Sequence, residues 1–298
     1  METLHALPSI QVKNILFATD FSPAATSAAA YAAEIAKHYG AKLFAFHVRP
    51  PVINPMTPPA GWKAEEKAAK LEEEQQRREL LRLFREIRPE ILIEEGDLWS
   101  NLKGVIETNK IDLIVIGTRG RSGIGKFLLG STAEEIFREA PCPVLTVGPR
   151  TSDARRPNGE FKKILFATDF TSESMAAAPY AISLAQEYQA YLTLVHVVEE
   201  PKTGELVQPA DLITSSERLL RDLVPEEAKL WCVPEYVVER GVPADKILDV
   251  ASSRESELIV LGVHRPSGVP GAATHLPIAI AHKVVSHALC PVLTVPSG

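Results

Sequence analysis

Short, almost wholly apolar runs alternate with longer amphipathic or alanine-rich segments along the chain. The first run, NILFAT at 14–19, has the pattern of a strand buried on both faces, and the alanine-rich segment 23–39 is typical of a helix. Strand patterns then follow at 42–48, 91–96, 112–117 and 143–148, and helix patterns at 62–87, 98–109 and 132–140. Strands that alternate with helices predict a parallel sheet covered by helices on both faces.

The same pattern occurs twice. Residues 13–48 and 162–197 align without a gap and are identical at 18 of 36 positions. The end of the pattern recurs as well, because PCPVLTV at 141–147 reappears as LCPVLTV at 289–295. The two halves are therefore copies of one unit.

A polar segment rich in Gly, Pro and Arg separates the two copies. Such a composition is typical of a linker. We therefore predict one domain over residues 1–150, a linker over 151–160 and a second domain over 161–298. A chain of 298 residues is long enough for two domains of ordinary size.

Composition and charge disfavour a nucleic-acid-binding, membrane or secreted protein. The net charge of −6 disfavours non-specific nucleic-acid binding, and no apolar run approaches the ~18 residues that span a bilayer. Cys142, Cys232 and Cys290 are widely spaced, as expected for reduced thiols in the cytosol. The segment 1–14 lacks the basic start and apolar run of a signal peptide. We expect a cytoplasmic protein with no membrane partner.

The densest chemistry lies in GTRGRSGIGKFLLGSTAEEI at 117–136, which follows the fourth strand. Ligands of parallel α/β sheets bind beyond the carboxyl ends of the strands, where this loop is expected. Residues 120–126 match the Walker pattern GxxxxGK, but Phe127 stands where a Ser or Thr would hold Mg²⁺. The loop contains no GxGxxG either, so both the Walker and the dinucleotide interpretations are disfavoured.

A third pattern fits the loop: Gly117, Gly120, Gly130 and Ser131 match G-x2-G-x9-G-[ST]. Together with ILFATDFS, FHV, IDLIVIGTRG and APCPVLTV, this motif makes the chain resemble the universal stress protein family over almost all of both halves. The resemblance implies an α/β fold of two repeated five-stranded parallel sandwich domains, adenine nucleotide alpha hydrolase-like, packed as a pseudo-dimer. Both halves end in an apolar strand, so Val144–Val147 is expected to pair with Val292–Val295. A homodimer of chains is a further expectation.

The resemblance also implies an ATP site in the first half, with AMP and ADP as alternative ligands and Mg²⁺ as an accompanying ion. Helix-start N–H groups favour phosphate, and Asp20 would contact the sugar or Mg²⁺. Arg119, Arg121 and Lys126 would face the outer phosphates. The cofactor-binding residues implied are Ala18, Thr19, Asp20, Val48, Ile116, Gly117, Gly120, Arg121, Lys126, Gly130, Ser131 and Thr132.

Several of these residues also have a purely structural interpretation. Asp20, its counterpart Asp169 and Ser131 could each be helix N-caps. The glycines could serve turns alone, and Val48 could be an ordinary core residue. His47 and the equivalent His196 are expected to be structural. No metal site is predicted from the remaining histidine cluster, because its spacing matches no known site; its members are His264, His275, His282 and His287.

The expected function is that of a stress-response protein regulated by an adenine nucleotide. No Ser/His/Asp, Cys/His or paired-carboxylate arrangement is evident, so a fast enzyme is not expected. Two alternatives stay open: a protein that binds partners without a nucleotide, and a slow ATPase.

The glycine motif is expected to bind a nucleotide in the first half alone. The second half keeps Thr168, Asp169, Val197 and Gly262, the counterparts of the first strand-end residues. Beyond them Arg265 replaces the second glycine, and three prolines enter the loop. Depending on the register, His275 and Leu276 or Ile278 and Ala279 replace the Gly-Ser pair. The sequence therefore predicts one nucleotide per chain.

Overall fold

The computed structural model describes residues 10–51, 62–118, 130–151, 160–199, 209–230, 232–263 and 275–297, without the side chains of residues 131, 209, 229, 230 and 275–278. The first half contains β1 (Asn14–Ala18), α1 (Pro23–Tyr39), β2 (Lys42–Arg49), α2 (Trp62–Leu83), β3 (Glu90–Glu95), α3 (Leu98–Asn109), β4 (Leu113–Gly117), α4 (Ser131–Glu139) and β5 (Val144–Val147). The second contains β6 (Lys163–Ala167), α5 (Ser172–Glu187), β7 (Tyr191–Val198), α6 (Pro209–Asp222), a 3₁₀ helix (Glu226–Leu230), β8 (Glu235–Arg240), α7 (Pro243–Ser253), β9 (Leu258–Val263), α8 (His275–His287) and β10 (Val292–Pro296).

The ten strands of the described residues form one sheet, in the order β3-β2-β1-β4-β5-β10-β9-β6-β7-β8. Within each half every pair of neighbouring strands is parallel. The predicted α/β class and the two repeated five-stranded parallel units are therefore confirmed. The central strands are apolar along their whole length because helices cover both faces of the sheet.

The sheet is continuous because β5 and β10 pair antiparallel where the halves meet. Leu145 lies opposite Leu293 in this pairing, as the two apolar edges predicted. Two buried hydroxyls reinforce it: Thr146 Oγ1 donates to the Val292 carbonyl at 3.0 Å, and Thr294 Oγ1 donates to the Val144 carbonyl at 3.2 Å. Pairing the two edges removes the exposed hydrogen-bonding groups that either half would otherwise present.

Aromatic rings join the halves on one face of the sheet. Phe161, which precedes β6, stacks on Tyr31 of α1 with ring centroids 6.2 Å apart. Tyr188, which follows α5, stacks on His38 of α1 at 4.1 Å. Burial raises the pKa of the Tyr188 hydroxyl above its ordinary value. One hydrophobic core consequently runs through both halves on this face.

The second helix is shorter than its sequence pattern, which extends over 62–87. Helix α2 ends at Leu83, and the chain then tightens, with the Ile87 N–H donating to the Phe84 carbonyl at 3.2 Å. Pro89 disfavours helical geometry at Arg88, so the helix cannot extend beyond this point, but this does not account for its end at Leu83. Among the described residues, no helix is both long and apolar enough to cross a membrane.

Candidate functional site

A cavity of about 470 Å³ lies in the first half at the carboxyl ends of β1, β2 and β4, against the start of α4. This is the position at which parallel α/β sheets hold their ligands. Its described lining residues are Ala18, Thr19, Asp20, Ala25, Phe46, His47, Val48, Arg49, Pro50, Gly96, Leu98, Ile116, Gly117, Gly130, Thr132, Ala133 and Ile136.

Most of the implied site residues come together here. The cavity is lined by Ala18, Thr19, Asp20, Val48, Ile116, Gly117, Gly130 and Thr132. Ser131 is the first residue of α4, and its side chain is outside the described part of the structure. Arg119, Gly120, Arg121 and Lys126 lie outside the described residues altogether.

The turn after β1 fixes the Asp20 carboxylate. Asp20 Oδ1 accepts from the Ser22 N–H at 3.0 Å, and Phe21 between them has a left-handed φ of 60°. The N-cap interpretation of Asp20 is wrong, because Ser22 is the N-cap and its Oγ accepts from the Ala25 N–H at 3.2 Å. Asp20 lines the cavity, two residues before the N-cap of α1.

His47 stabilises this turn from the neighbouring strand. Its Nδ1 lies 2.8 Å from the Thr19 carbonyl oxygen, so Nδ1 carries the proton that is donated. Its ring also meets the Phe21 ring edge-on, with centroids 4.7 Å apart. His196 repeats this arrangement at 2.9 Å from the Thr168 carbonyl, so both histidines have the structural hydrogen bond that was expected of them.

The start of α4 presents backbone donors to the cavity. Gly130 is the N-cap with extended geometry (φ −63°, ψ 147°) and has no side chain with which to cap the helix. The interpretation of Ser131 as the cap is therefore wrong. The Gly130 N–H is occupied by the Thr118 carbonyl at 2.9 Å, whereas the first-turn N–H groups that follow are those a helix leaves without intrahelical partners. With the helix dipole they form a potential anion site.

Gly117 has a packing role that the sequence motif does not reveal. A Cβ atom there would lie 2.6 Å from both the Ala24 carbonyl carbon and the Ala25 nitrogen, at the start of α1. Gly262 at the end of β9 is in the same position, with the Glu173 carbonyl oxygen only 2.1 Å from its missing Cβ. Close approach of a helix to the strand end thus requires glycine in both halves, whether or not a ligand binds.

Part of the cavity wall is formed by residues that do not belong to the sequence motif. Leu98 begins α3 behind its N-cap Asp97, and Gly96 reaches the cavity with a φ of 112°. Arg49 is the last residue of β2 and the one Lys or Arg residue among the described lining residues, and its guanidinium donates to Ala69 and Glu73 of α2. A comparison of the repeats could have found it, because Val198 occupies the equivalent place in β7.

Comparison with known proteins agrees with the repeat. The sequence model of the universal stress protein family matches residues 11–148 and again residues 160–296. The chain belongs to the universal stress protein family. A universal stress protein of Thermus aquaticus is 37% identical over 136 residues, which are 45% of this chain and 98% of that protein. A relative in Mycolicibacterium smegmatis is 26% identical over 297 residues and matches both halves, covering 94% of this chain and 96% of its own.

A solved structure shares the fold. A universal stress protein from Archaeoglobus fulgidus superposes with a TM-score of 0.69 at 18% identity and covers 97% of this chain and all of its own. A universal stress protein crystallised in complex with cAMP covers 47% of this chain and 99% of its own, at 20% identity and a TM-score of 0.36.

The second half of this universal stress protein has a smaller and more acidic cavity at the equivalent place. Its volume is about 110 Å³, and its described charged lining residues are Asp169, Glu173 and Glu199. Burial raises the pKa of the Asp169 carboxyl, but hydrogen bonds from Thr171 and Ser174 outweigh it and hold that pKa below its ordinary value. Glu173 and Glu199 are two carboxyl side chains that the first cavity lacks, and carboxylates repel phosphate.

Two other interpretations can be compared with the structure. Asp169 is not a helix N-cap, since Thr171 occupies that position in α5.

The replacement residues Arg265, Pro266 and Pro270 lie outside the described residues, as do His264 and the side chains of 275–278. In the part of the chain that the structure describes, no three His, Cys, Asp or Glu side chains group together as metal ligands would.

Proposed function

We propose that the first half of this universal stress protein binds one adenine nucleotide, ATP or its products ADP and AMP, and that occupancy of the site regulates the protein in a stress response. The observation that carries the proposal is the cavity against α4, where the strand-end residues meet a helix start capped by glycine. A helix start without a capping side chain leaves N–H donors for phosphate oxygens.

Each wall of the cavity suits a different part of the ligand. Ala18, Phe46, Val48 and Ile116 provide an apolar surface for a purine ring. Asp20 would contact the ribose or a Mg²⁺ ion that accompanies the phosphates. The donor set fits Mg²⁺, which proteins commonly hold through one or two carboxylates together with the phosphates of the substrate. When bound, the ion would neutralise phosphate charge.

The proposal extends to the organisation of the chain. The β5–β10 pairing and the shared core support a pseudo-dimer of one nucleotide-binding and one degenerate half. Cys142, Cys232 and Cys290 are buried and form no disulfide, which supports a reducing, cytoplasmic location. A homodimer of such chains stays a prediction.

The direct test is the identity of any small molecule that the protein carries through purification. Freshly purified full-length chain is denatured, and the released small molecules are identified by mass spectrometry. We expect ATP, ADP or AMP, and micromolar or tighter rebinding of ATP by calorimetry. Absence of any adenine nucleotide together with no measurable rebinding would favour the partner-binding alternative. Turnover above about 1 s⁻¹ would instead indicate a true enzyme.

A further inference from the structure

Two helix starts bound the cavity of the first half, one at each end. Helix α3 begins after β3, and helix α4 begins after β4. Strands β2 and β1 lie between β3 and β4, so the ends of those two strands are three strand spacings apart, roughly 14 Å in all. Leu98 of α3 and Thr132 of α4 both line the cavity. A ligand that fills the cavity therefore extends from one helix start to the other.

The two helix starts are capped differently, and the difference favours one orientation of the ligand. Gly130 caps α4 without a side chain. Asp97 caps α3, and its Oδ1 accepts from the Ser100 N–H at 2.9 Å and from the Ser100 hydroxyl at 2.7 Å. These hydrogen bonds, that from the backbone N–H above all, hold the pKa of the Asp97 carboxyl below its ordinary value. The Asp97 carboxylate disfavours a phosphate at α3, so the phosphates belong at α4 and the base at the α3 end.

At the α3 end the cavity wall is the turn between β3 and α3, and Asn101 holds this turn from within the helix. Gly96 and Leu98 of the turn line the cavity. Asn101 Nδ2 donates to the Glu95 carbonyl at 3.1 Å and to the Asp97 carbonyl at 2.9 Å. Both hydrogens of the amide are thereby used. One side chain thus fixes a carbonyl before Gly96 and a carbonyl after it.

Gly96 is a residue that needs such a restraint. Its φ of 112° lies in the left-handed region that favours glycine, and glycine has more backbone freedom than any other residue. Gly96 is also exposed. Apart from its chain neighbours, the one described atom within 4 Å of its missing Cβ is Asn101 Nδ2, at 3.9 Å. Packing therefore does little to fix this turn, and the hydrogen bonds of Asn101 do more.

The second half forms the equivalent turn without this amide. Gly241 repeats the left-handed glycine, with a φ of 134°. Lys246 is the fourth residue of α7, as Asn101 is of α3, and its ammonium pairs with Glu239 at 3.5 Å. Helix α7 also begins without a hydrogen bond from a capping side chain. The fold alone therefore does not require an asparagine here, and the amide occurs in the half that has the larger cavity.

We propose that Asn101 is a positioning residue for the nucleobase: it holds the turn of residues 95–98 in the conformation in which Gly96 and Leu98 form the base end of the site. The inference rests on the proposed adenine-nucleotide site and adds to it the direction of the ligand, with the base at α3 and the phosphates at α4. Asn101 is not a lining residue and acts through the turn. It keeps the wall preformed, so that the ligand does not have to order an exposed glycine turn when it binds.

The test compares Asn101→Ala with the wild-type full chain, using ATP, adenosine and inorganic tripolyphosphate as probes in calorimetry. Alanine removes both donors, adds no charge and favours the helix, so the variant is expected to fold. We expect the affinities for ATP and adenosine to fall by the same factor, roughly five- to fiftyfold, because two hydrogen bonds that hold the base wall are lost. The affinity for tripolyphosphate, which has no base, should not change.

Asn109→Ala is the matched control. Asn109 Nδ2 donates to the Val105 carbonyl at 3.0 Å, so it also bonds to the carbonyl four residues earlier, but at the other end of α3. We expect Asn109→Ala to bind all three probes as the wild type does. Urea denaturation shows how much stability each variant loses, and a variant-specific loss of affinity then separates positioning of the base from general loosening of the helix.

The outcomes separate this inference from the proposed function. If the wild type binds neither ATP nor adenosine, the proposed function is wrong and the inference fails with it. If the wild type binds both and Asn101→Ala binds them equally well, only the role of Asn101 is overturned. A loss that tripolyphosphate shares, or a loss confined to ATP, would mean that Asn101 acts on the phosphates and would contradict the proposed orientation.

Discussion

Replacing Gly130 by Asp and Ser131 by Glu is expected to abolish ATP binding by the full chain. The two carboxylates would enter the start of α4, where the cavity meets the backbone donors proposed to hold the phosphates. Loss of two or three charge-assisted hydrogen bonds, at about 1.5–3 kcal/mol each, corresponds to binding weaker by roughly a hundredfold to a millionfold. Repulsion between the carboxylates and the phosphates adds to this loss.

Calorimetry of the double variant measures the effect, and two controls separate it from unfolding. Ser131→Ala keeps the backbone donors and should lose far less affinity. Ala210→Glu adds a carboxylate to the exposed first turn of α6 in the second half and should bind ATP as the wild type does. A folded double variant, judged by circular dichroism, that binds ATP with unchanged affinity would refute the assignment of the phosphate site.

The second large expected effect is a loss of folding stability when a glycine at a strand end is replaced. Gly117→Ala is expected to destabilise the chain by about 1–3 kcal/mol or more, because the new Cβ would lie 2.6 Å from backbone atoms of Ala24 and Ala25. Backbone atoms of a helix cannot move aside as a flexible side chain does. Gly262→Ala should act in the same way, since its Cβ would meet the Glu173 carbonyl oxygen at 2.1 Å.

Urea denaturation followed by circular dichroism measures these changes, and Gly104→Ala is the matched control. Gly104 lies inside α3 with no atom within 4 Å of its missing Cβ. Alanine there should stabilise the chain by about 0.5–1 kcal/mol, because it favours the helix. If Gly117→Ala were as stable as the wild type, the close contact between β4 and α1 would be wrong, and the glycine would have to be explained by the ligand alone.

The sequence predicted the fold well because its signals are local and repeated. Helix α3 has the same bounds as its sequence pattern, and the apolar runs gave each strand to within about two residues. The pairing of β5 with β10 followed from two apolar edges that could not both remain exposed. The end of α2 was missed because the residues after Leu83 keep a helical pattern as far as Ile87, although the chain leaves the helix at Phe84.

The site was only partly predictable, since its details depend on contacts between distant residues. The N-cap interpretation of Asp20 failed because sequence does not show that Phe21 adopts a left-handed φ, which places Ser22 at the cap. The contact of Gly117 with α1 and that of Arg49 with Ala69 join segments that no local pattern connects. A comparison of the two halves distinguishes these two residues. The second half keeps a glycine, Gly262, at the place of Gly117, but has Val198 at the place of Arg49.

The central claim is that one chain holds one adenine nucleotide, in its first half. Calorimetric titration of nucleotide-free full-length chain with ATP tests it most directly, because it counts sites without separating the halves. We predict a stoichiometry near one ATP per chain, which falls to zero in the Gly130→Asp, Ser131→Glu variant. A stoichiometry near two, or a value near one that persists in the double variant, would show that the second half binds ATP and would contradict the account.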